Sequence, residues 1–256
     1  MRRFLGMLAV LVTMPCVALA SINAGDLISY SRTAGQYSGS GGEFTATVYS
    51  LSNTVLDQFE TFCIEDGQTI SLGTKYEVHS VLDRSITGPT YSPDTYLGLP
   101  ADKVEGKTAW LFQQFWKTLY GGTVDAAFAA TDYLNLVPGG NTRSQNAGLL
   151  QDAIWYIESN GGIGSPNSYN TLVNTIGATD LAAALSVVRA INPIEDGHLD
   201  GNVSAGDTNA SVHRQSHLVV LPPPPGTGTV PEAGSLIIWG LLANVFGLVA
   251  PRRARS

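Results

Sequence analysis

Along the first third of the chain apolar and polar residues take turns. Residues 43–49 read Glu-Phe-Thr-Ala-Thr-Val-Tyr, residues 56–64 Leu-Asp-Gln-Phe-Glu-Thr-Phe-Cys-Ile, and residues 75–81 Lys-Tyr-Glu-Val-His-Ser-Val. Period-two segments rich in Thr, Val, Tyr and Phe, separated by Gly, Ser and Asn, predict antiparallel strands. The period then changes. Trp110, Leu111, Phe115 and Leu119 fall at helical spacing within 107–119, and 124–136 follows the same spacing more weakly. From Ser144 to Glu158 a stripe of Leu150, Ala153, Ile154 and Ile157 predicts a further helix, stopped by Gly161 and Gly162. Another helix is expected over 178–190, and a last strand over 216–221. There is no internal repeat. The fold class expected is α+β: an antiparallel β-sandwich or barrel carrying an inserted helical subdomain.

The two ends follow other rules. Residues 1–20 open with Arg2 and Arg3, continue through an apolar stretch and close on Ala18-Leu19-Ala20, the order of a secretory signal peptide with a small-x-small cleavage site. Cys16 follows Met14 and Pro15, where a lipoprotein signal would need small residues. At the other end, residues 222–232 form a Pro- and Gly-rich linker that ends in Val230-Pro231-Glu232. Residues 233–250 then run uncharged, long enough as a helix (~27 Å) for one bilayer core. Arg252, Arg253 and Arg255 close the chain and would hold that end on the cytoplasmic side. Pro-Glu, apolar helix and basic cluster in this order resemble the PEP-CTERM sorting signal of Gram-negative bacteria, with Ala233 where the motif has a second proline. The resemblance implies transient membrane insertion and cutting near Pro-Glu by an exosortase-type membrane protease. It also implies a destination in the cell envelope or extracellular matrix, such as a biofilm. The domains expected are thus 1–20, 21–221, 222–232 and 233–256.

Charge changes meaning once the ends are set aside. The whole chain carries −7, but between Ser21 and Glu232 there are 9 basic against 21 acidic residues, a net of −12. A domain that acidic repels phosphate backbones, which excludes nucleic acid as a partner.

Cysteine usage narrows the chemistry. After leader removal one cysteine is left, Cys63, so no intramolecular disulfide is available. It stands in Phe62-Cys63-Ile64. In the stretch Leu149-Leu150-Gln151-Asp152-Ala153-Ile154-Trp155, a glutamine is set into the apolar part of a helix, where it costs desolvation unless its amide is used. An aromatic-Cys-aliphatic strand followed by a Gln-x-Ala-Ile-Trp helix resembles the thioester domains of bacterial surface adhesins, over roughly 44–221. The resemblance implies Cys63 as sulfur donor and Gln151 as acyl donor of an internal thioester. A thiolate attacks the carboxamide, ammonia leaves, and a nucleophile on a partner later takes the acyl group. Phe62, Ile64, Leu150, Ile154 and Trp155 would keep water out, and Glu65, Asp66, Asp152 and His79 are candidates to protonate the ammonia. The partner would be a surface protein amine or a polysaccharide hydroxyl. Capture of this kind happens once per molecule, so the chain is not read as an enzyme. The alternative is a non-covalent structural envelope or matrix protein on the same scaffold, with Cys63 and Gln151 as ordinary core.

Other constellations are weaker. Residues 195–202 are rich in oxygen ligands but lack EF-hand spacing and read as a solvated turn. His198, His213 and His217 lack zinc spacing, and no metal or cofactor is expected. A cysteine hydrolase would need a histidine such as His79 near Cys63, with no protease signature around it. Gly39-Ser40-Gly41-Gly42 lacks the Lys of a phosphate-binding loop and reads as a flexible turn.

Overall fold

β-Branched and aromatic residues at alternate positions build a six-stranded antiparallel sheet: β1 (Leu27–Ser31), β2 (Phe44–Tyr49), β3 (Val55–Thr61), β4 (Lys75–Leu82), β8 (Val188–Ile194) and β9 (His217–Val220). Their order is β3-β2-β1-β4-β8-β9. Between β4 and β8 come β5 (Arg84–Ile86), β6 (Thr95–Tyr96) and β7 (Leu99–Lys103), a small sheet of order β5-β7-β6. This is a computed structural model; it describes residues 22–39, 41–86, 94–96, 98–195 and 213–221, all within the unit Met1–Pro222.

Register puts one face of the large sheet in the core. Ile28 opposes Val48, Tyr30 opposes Ala46, and Ala46 opposes Phe59, all buried. The sheet curls into a half-barrel, and its two edges are stitched where the chain leaves β3. The Thr61 hydroxyl donates to the Leu218 carbonyl at 2.6 Å. Leu218 N–H donates to the Phe62 carbonyl and Ile64 N–H to the Ser216 carbonyl, each at 3.0 Å. Cys63 and His217 face each other across this seam.

The helices lie between β7 and β8, as an insertion: α1 (Gly106–Tyr120), α2 (Ala126–Ala129), α3 (Arg143–Glu158), α4 (Ser168–Val173) and α5 (Ala178–Val187). α1 buries Trp110, Leu111, Phe112, Phe115 and Trp116. Phe115 meets the ring of Phe62 edge-on at 5.0 Å, which ties the helical layer to the seam. Each such fully buried side chain is worth roughly 1.5–3 kcal/mol. α3 starts at a capping box in which Thr142 and Gln145 exchange hydrogen bonds, and this fixes where its polar residues fall.

Several expectations need correction. The helix expected over 124–136 is a single turn, α2. Beyond it Asp132 (φ 49°) and Asn135 (φ 55°) adopt left-handed backbone. The Asp132 carboxylate accepts the N–H groups of Leu136 and Val137 at 2.8 Å, so side chain replaces helix as acceptor. The helix expected over 178–190 stops at Val187, because the residues from Val188 onward pair with β4 on one side and β9 on the other. The strand expected over 56–64 ends at Thr61. β1, the small sheet and α4 were not anticipated. The leader, the linker, Pro231, Glu232, Arg252, Arg253, Arg255 and the proposed membrane span lie outside the described residues. Among the described residues no helix is long and apolar enough to cross a membrane.

Candidate functional site

Three segments converge on one buried point. The seam residue Cys63 comes from the end of β3, Gln151 from the middle of α3, and Gly41 and Gly42 from the turn entering β2. Cys63 is fully buried and Gln151 is 1% exposed. The Cys63 thiol donates to Gln151 Oε1 at 3.2 Å. Gly42 N–H donates to the same oxygen at 3.0 Å, and Gln151 Nε2 donates to the Cys63 carbonyl at 2.8 Å. The amide is therefore held by its oxygen and its nitrogen, with its carbonyl carbon one C=O bond from the sulfur contact.

The glycines are there because nothing larger fits. A Cβ on Gly41 would sit 2.4 Å from Gln151 Cγ and 3.0 Å from Trp155 Cη2; one on Gly42 would sit 2.4 Å from Phe62 Cδ1. This turn, expected to be flexible, is packed against the site. The next residue anchors it: Glu43 is buried and its carboxylate accepts from Arg143 Nε at 3.1 Å, from Arg143 Nη2, and from the Tyr133 hydroxyl at 2.8 Å. Arg143 is the first residue of α3, so a single ion pair links the loop that carries the Gly42 donor to the helix that carries Gln151.

Of the residues expected around the pair, Phe62, Ile64, Leu150 and Ile154 are buried, at 3% exposure or less. Trp155 is part-buried, and the edge of its indole ring flanks Gly41 beside Gln151. Burial first, and then the Glu65 carboxylate, hold the thiol well above its ordinary range. The resting group is thus a thiol, not a thiolate.

The proposed acids separate. Glu65 Oε2 accepts from Ser216 N–H at 2.8 Å, and burial pushes this carboxyl up to about 7. It lines a cavity of about 10 Å³, room for one water, with Asp102, Trp155 and Glu158. Glu158 is pushed up to about 8 by burial. Asp66 lies on a cleft of about 360 Å³ shared with Arg32, Phe44, Gln68, Thr69 and Trp155. Trp155 is common to that cleft and to the site. Asp152 is part-buried and neighbours Gln151 in sequence. His79 packs against His213, ring centroids 5.2 Å apart. The histidine that stands opposite Cys63 is His217. No group of acids, histidines and cysteines suited to a metal ion occurs among the described residues.

Gly41, Gly42, Glu43, Arg143 and His217 were not anticipated. For His217 a signal existed: a histidine within the apolar segment 216–221 raises the question that Gln151 raised in its helix. No protein-family model matches the chain, and no curated protein or solved structure matches it either.

Proposed function

We propose that this chain is an exported surface or matrix protein that forms an internal thioester between Cys63 and Gln151, and through it attaches covalently to an amine or hydroxyl on a partner. The observation that carries the reading is the double hold on the Gln151 carbonyl: thiol and Gly42 N–H both donate to the oxygen that would bear negative charge during attack. A backbone N–H aimed at a developing oxyanion typically contributes on the order of 10²–10³ in rate. Sulfur and amide already in contact replace an encounter by a rearrangement. The reaction joins Cys63 Sγ to the side-chain carbonyl carbon of Gln151 and releases its nitrogen as ammonia. The acceptor later displaces the sulfur and regenerates the thiol.

Sorting by an exosortase-type protease, with passage to a Gram-negative envelope or matrix, belongs to the same proposal and rests on Pro231, Glu232 and the basic residues Arg252, Arg253 and Arg255. The second reading, a structural envelope or matrix protein without the bond, is favoured by one observation: burial keeps the thiol protonated, which makes the hydrogen-bonded pair a stable resting arrangement.

Intact mass of the purified chain separates the two. The thioester makes wild type lighter than its calculated mass by one ammonia, and Cys63→Ala and Gln151→Ala return the full mass. Methylamine is then taken up by wild type and by neither variant. A wild type at full mass, with its amide intact and no methylamine uptake, sinks the thioester and leaves the structural reading.

A further inference from the structure

A buried thiol held far above its ordinary range does not ionise unaided, so a proton acceptor has to be found inside the fold. Cys63 and His217 are paired directly across the seam. The flanking bonds, Ile64 N–H to Ser216 O and Leu218 N–H to Phe62 O, make them a non-hydrogen-bonded antiparallel pair. In that geometry both side chains leave the same face, with Cβ atoms roughly 5 Å apart. Both residues are fully buried.

The state of the imidazole follows from its partners. His217 Nδ1 lies 2.9 Å from the Gln215 carbonyl, which only accepts, so Nδ1 carries the hydrogen and Nε2 presents a bare lone pair. Nε2 is buried and has no hydrogen-bond partner among the described residues. The ring is fixed by stacking on Tyr30 at 4.0 Å and by the edge-on ring of Phe44 at 5.3 Å. A buried nitrogen lone pair left unpaired costs stability, and that cost asks for a use.

We propose that His217 Nε2 carries the proton for the Cys63–Gln151 reaction, a role that rests on the thioester reading above. The Cys63 thiol hydrogen turns from Gln151 Oε1 toward Nε2, which takes the proton from Sγ. The sulfur electron pair forms the bond to the Gln151 carbonyl carbon. The carbon–nitrogen bond of the amide breaks, its electron pair staying on nitrogen, and His217 delivers its proton there, so that ammonia leaves and the imidazole is neutral again. In the later transfer the same nitrogen takes a proton from the incoming amine or hydroxyl and returns it to the departing sulfur. Burial holds His217 down to about 3, so the imidazole rests neutral with its lone pair available, and the proton is handed on rather than stored.

The test uses the full chain as His217→Gln and His217→Asn, beside wild type and Cys63→Ala. Wild type is expected to lose one ammonia after synthesis. Both His217 variants are expected to melt cooperatively and to stay at full mass, or to lose ammonia at least a hundredfold more slowly, the usual scale of proton-transfer catalysis. A His217 variant that loses ammonia as fast as wild type overturns the inference while leaving the thioester standing. A wild type at full mass removes the thioester itself, and His217 with it. If neither variant melts cooperatively, imidazole ¹⁵N shifts of the Cys63→Ala chain decide. Protonated Nδ1 and bare Nε2 uphold the assignment, and an Nε2–H tautomer or an imidazolium at neutral pH overturns it.

Discussion

Glu158 ends α3 beside the one-water cavity, 6% exposed, with its Oε1 accepting the Glu105 N–H at 3.1 Å. Replacing it by glutamine keeps an acceptor there and removes the charge. The ordinary value for this carboxyl is 4.5, and burial pushes it up to about 8. A carboxyl raised in this way binds its proton more tightly when folded, so its contribution is complete below pH 4.5 and is lost as pH rises to about 8. At ~1.4 kcal/mol per unit, the loss reaches about 4 kcal/mol by pH 8 and only about 1 kcal/mol at pH 5. Glu158→Gln does not titrate. It is therefore expected to be more stable than wild type by about 4 kcal/mol at pH 8, which for a domain near 200 residues is on the order of 10 °C in Tm, and by a few degrees at pH 5. Thermal unfolding followed by circular dichroism at the two pH values measures this. A shift of equal size at both, or a loss of stability at pH 8, would refute the burial argument.

Wild type itself is expected to gain stability as pH falls from 8 towards 5, through Glu65 and Glu158, and to lose it below that as His217, held down to about 3, resists the proton it accepts near 6.5 when unfolded. A monotonic rise in Tm from pH 4 to 8 contradicts this. Gly41→Ala drives a Cβ to 2.4 Å from Gln151 Cγ and is expected to cost about 1–3 kcal/mol and to slow ammonia loss, while Gly67→Ala, with nothing within 4 Å, changes neither. Equal behaviour of the two in calorimetry and mass spectrometry removes the packing claim. Arg143→Met leaves the Glu43 carboxylate buried with the Tyr133 hydroxyl still donating to it and its charge uncompensated, at an expected cost of about 3–5 kcal/mol. A denaturant midpoint unchanged from wild type rules out that pairing.

Much of this molecule was legible in the order of its residues. Alternation located β2, β3 and β4, and three-four spacing located α1 and α3, although β2 and β4 are buried on both faces and their polar alternate positions lie inside the fold. The reading failed where the fold, not the segment, decides. The alanine-rich run from 178 carries no breaker at Val187, and what ends the helix there is the strand partners on both sides of β8. Asp132 ends a helical pattern with its own carboxylate, an effect composition does not announce. At the site, Gln151 was conspicuous as a polar residue in an apolar stripe. The role of Gly41 and Gly42 is a distance to a side chain 109 or more positions away, and distances of that kind exist only after folding.

The reacting groups proposed here share one property: at rest all are neutral. The thiol is protonated, the amide uncharged and His217 without its second proton, so a dry interior holds them at modest expense, whereas an ion pair in the same place would demand compensation. Neutrality makes each group a weak reagent, and for an enzyme that would be disabling. A bond made once per molecule asks for less. A barrier of roughly 22 kcal/mol gives a half-time on the order of half an hour, fast enough for a step that each molecule makes once. Contact between sulfur and amide, one backbone donor and one proton carrier are in proportion to that demand. On this reading His217 would activate water as readily as an acceptor, so the acyl group is protected afterwards by burial, with Phe62, Ile64, Leu150 and Ile154 around the pair, and the acceptor that wins is the one that can enter.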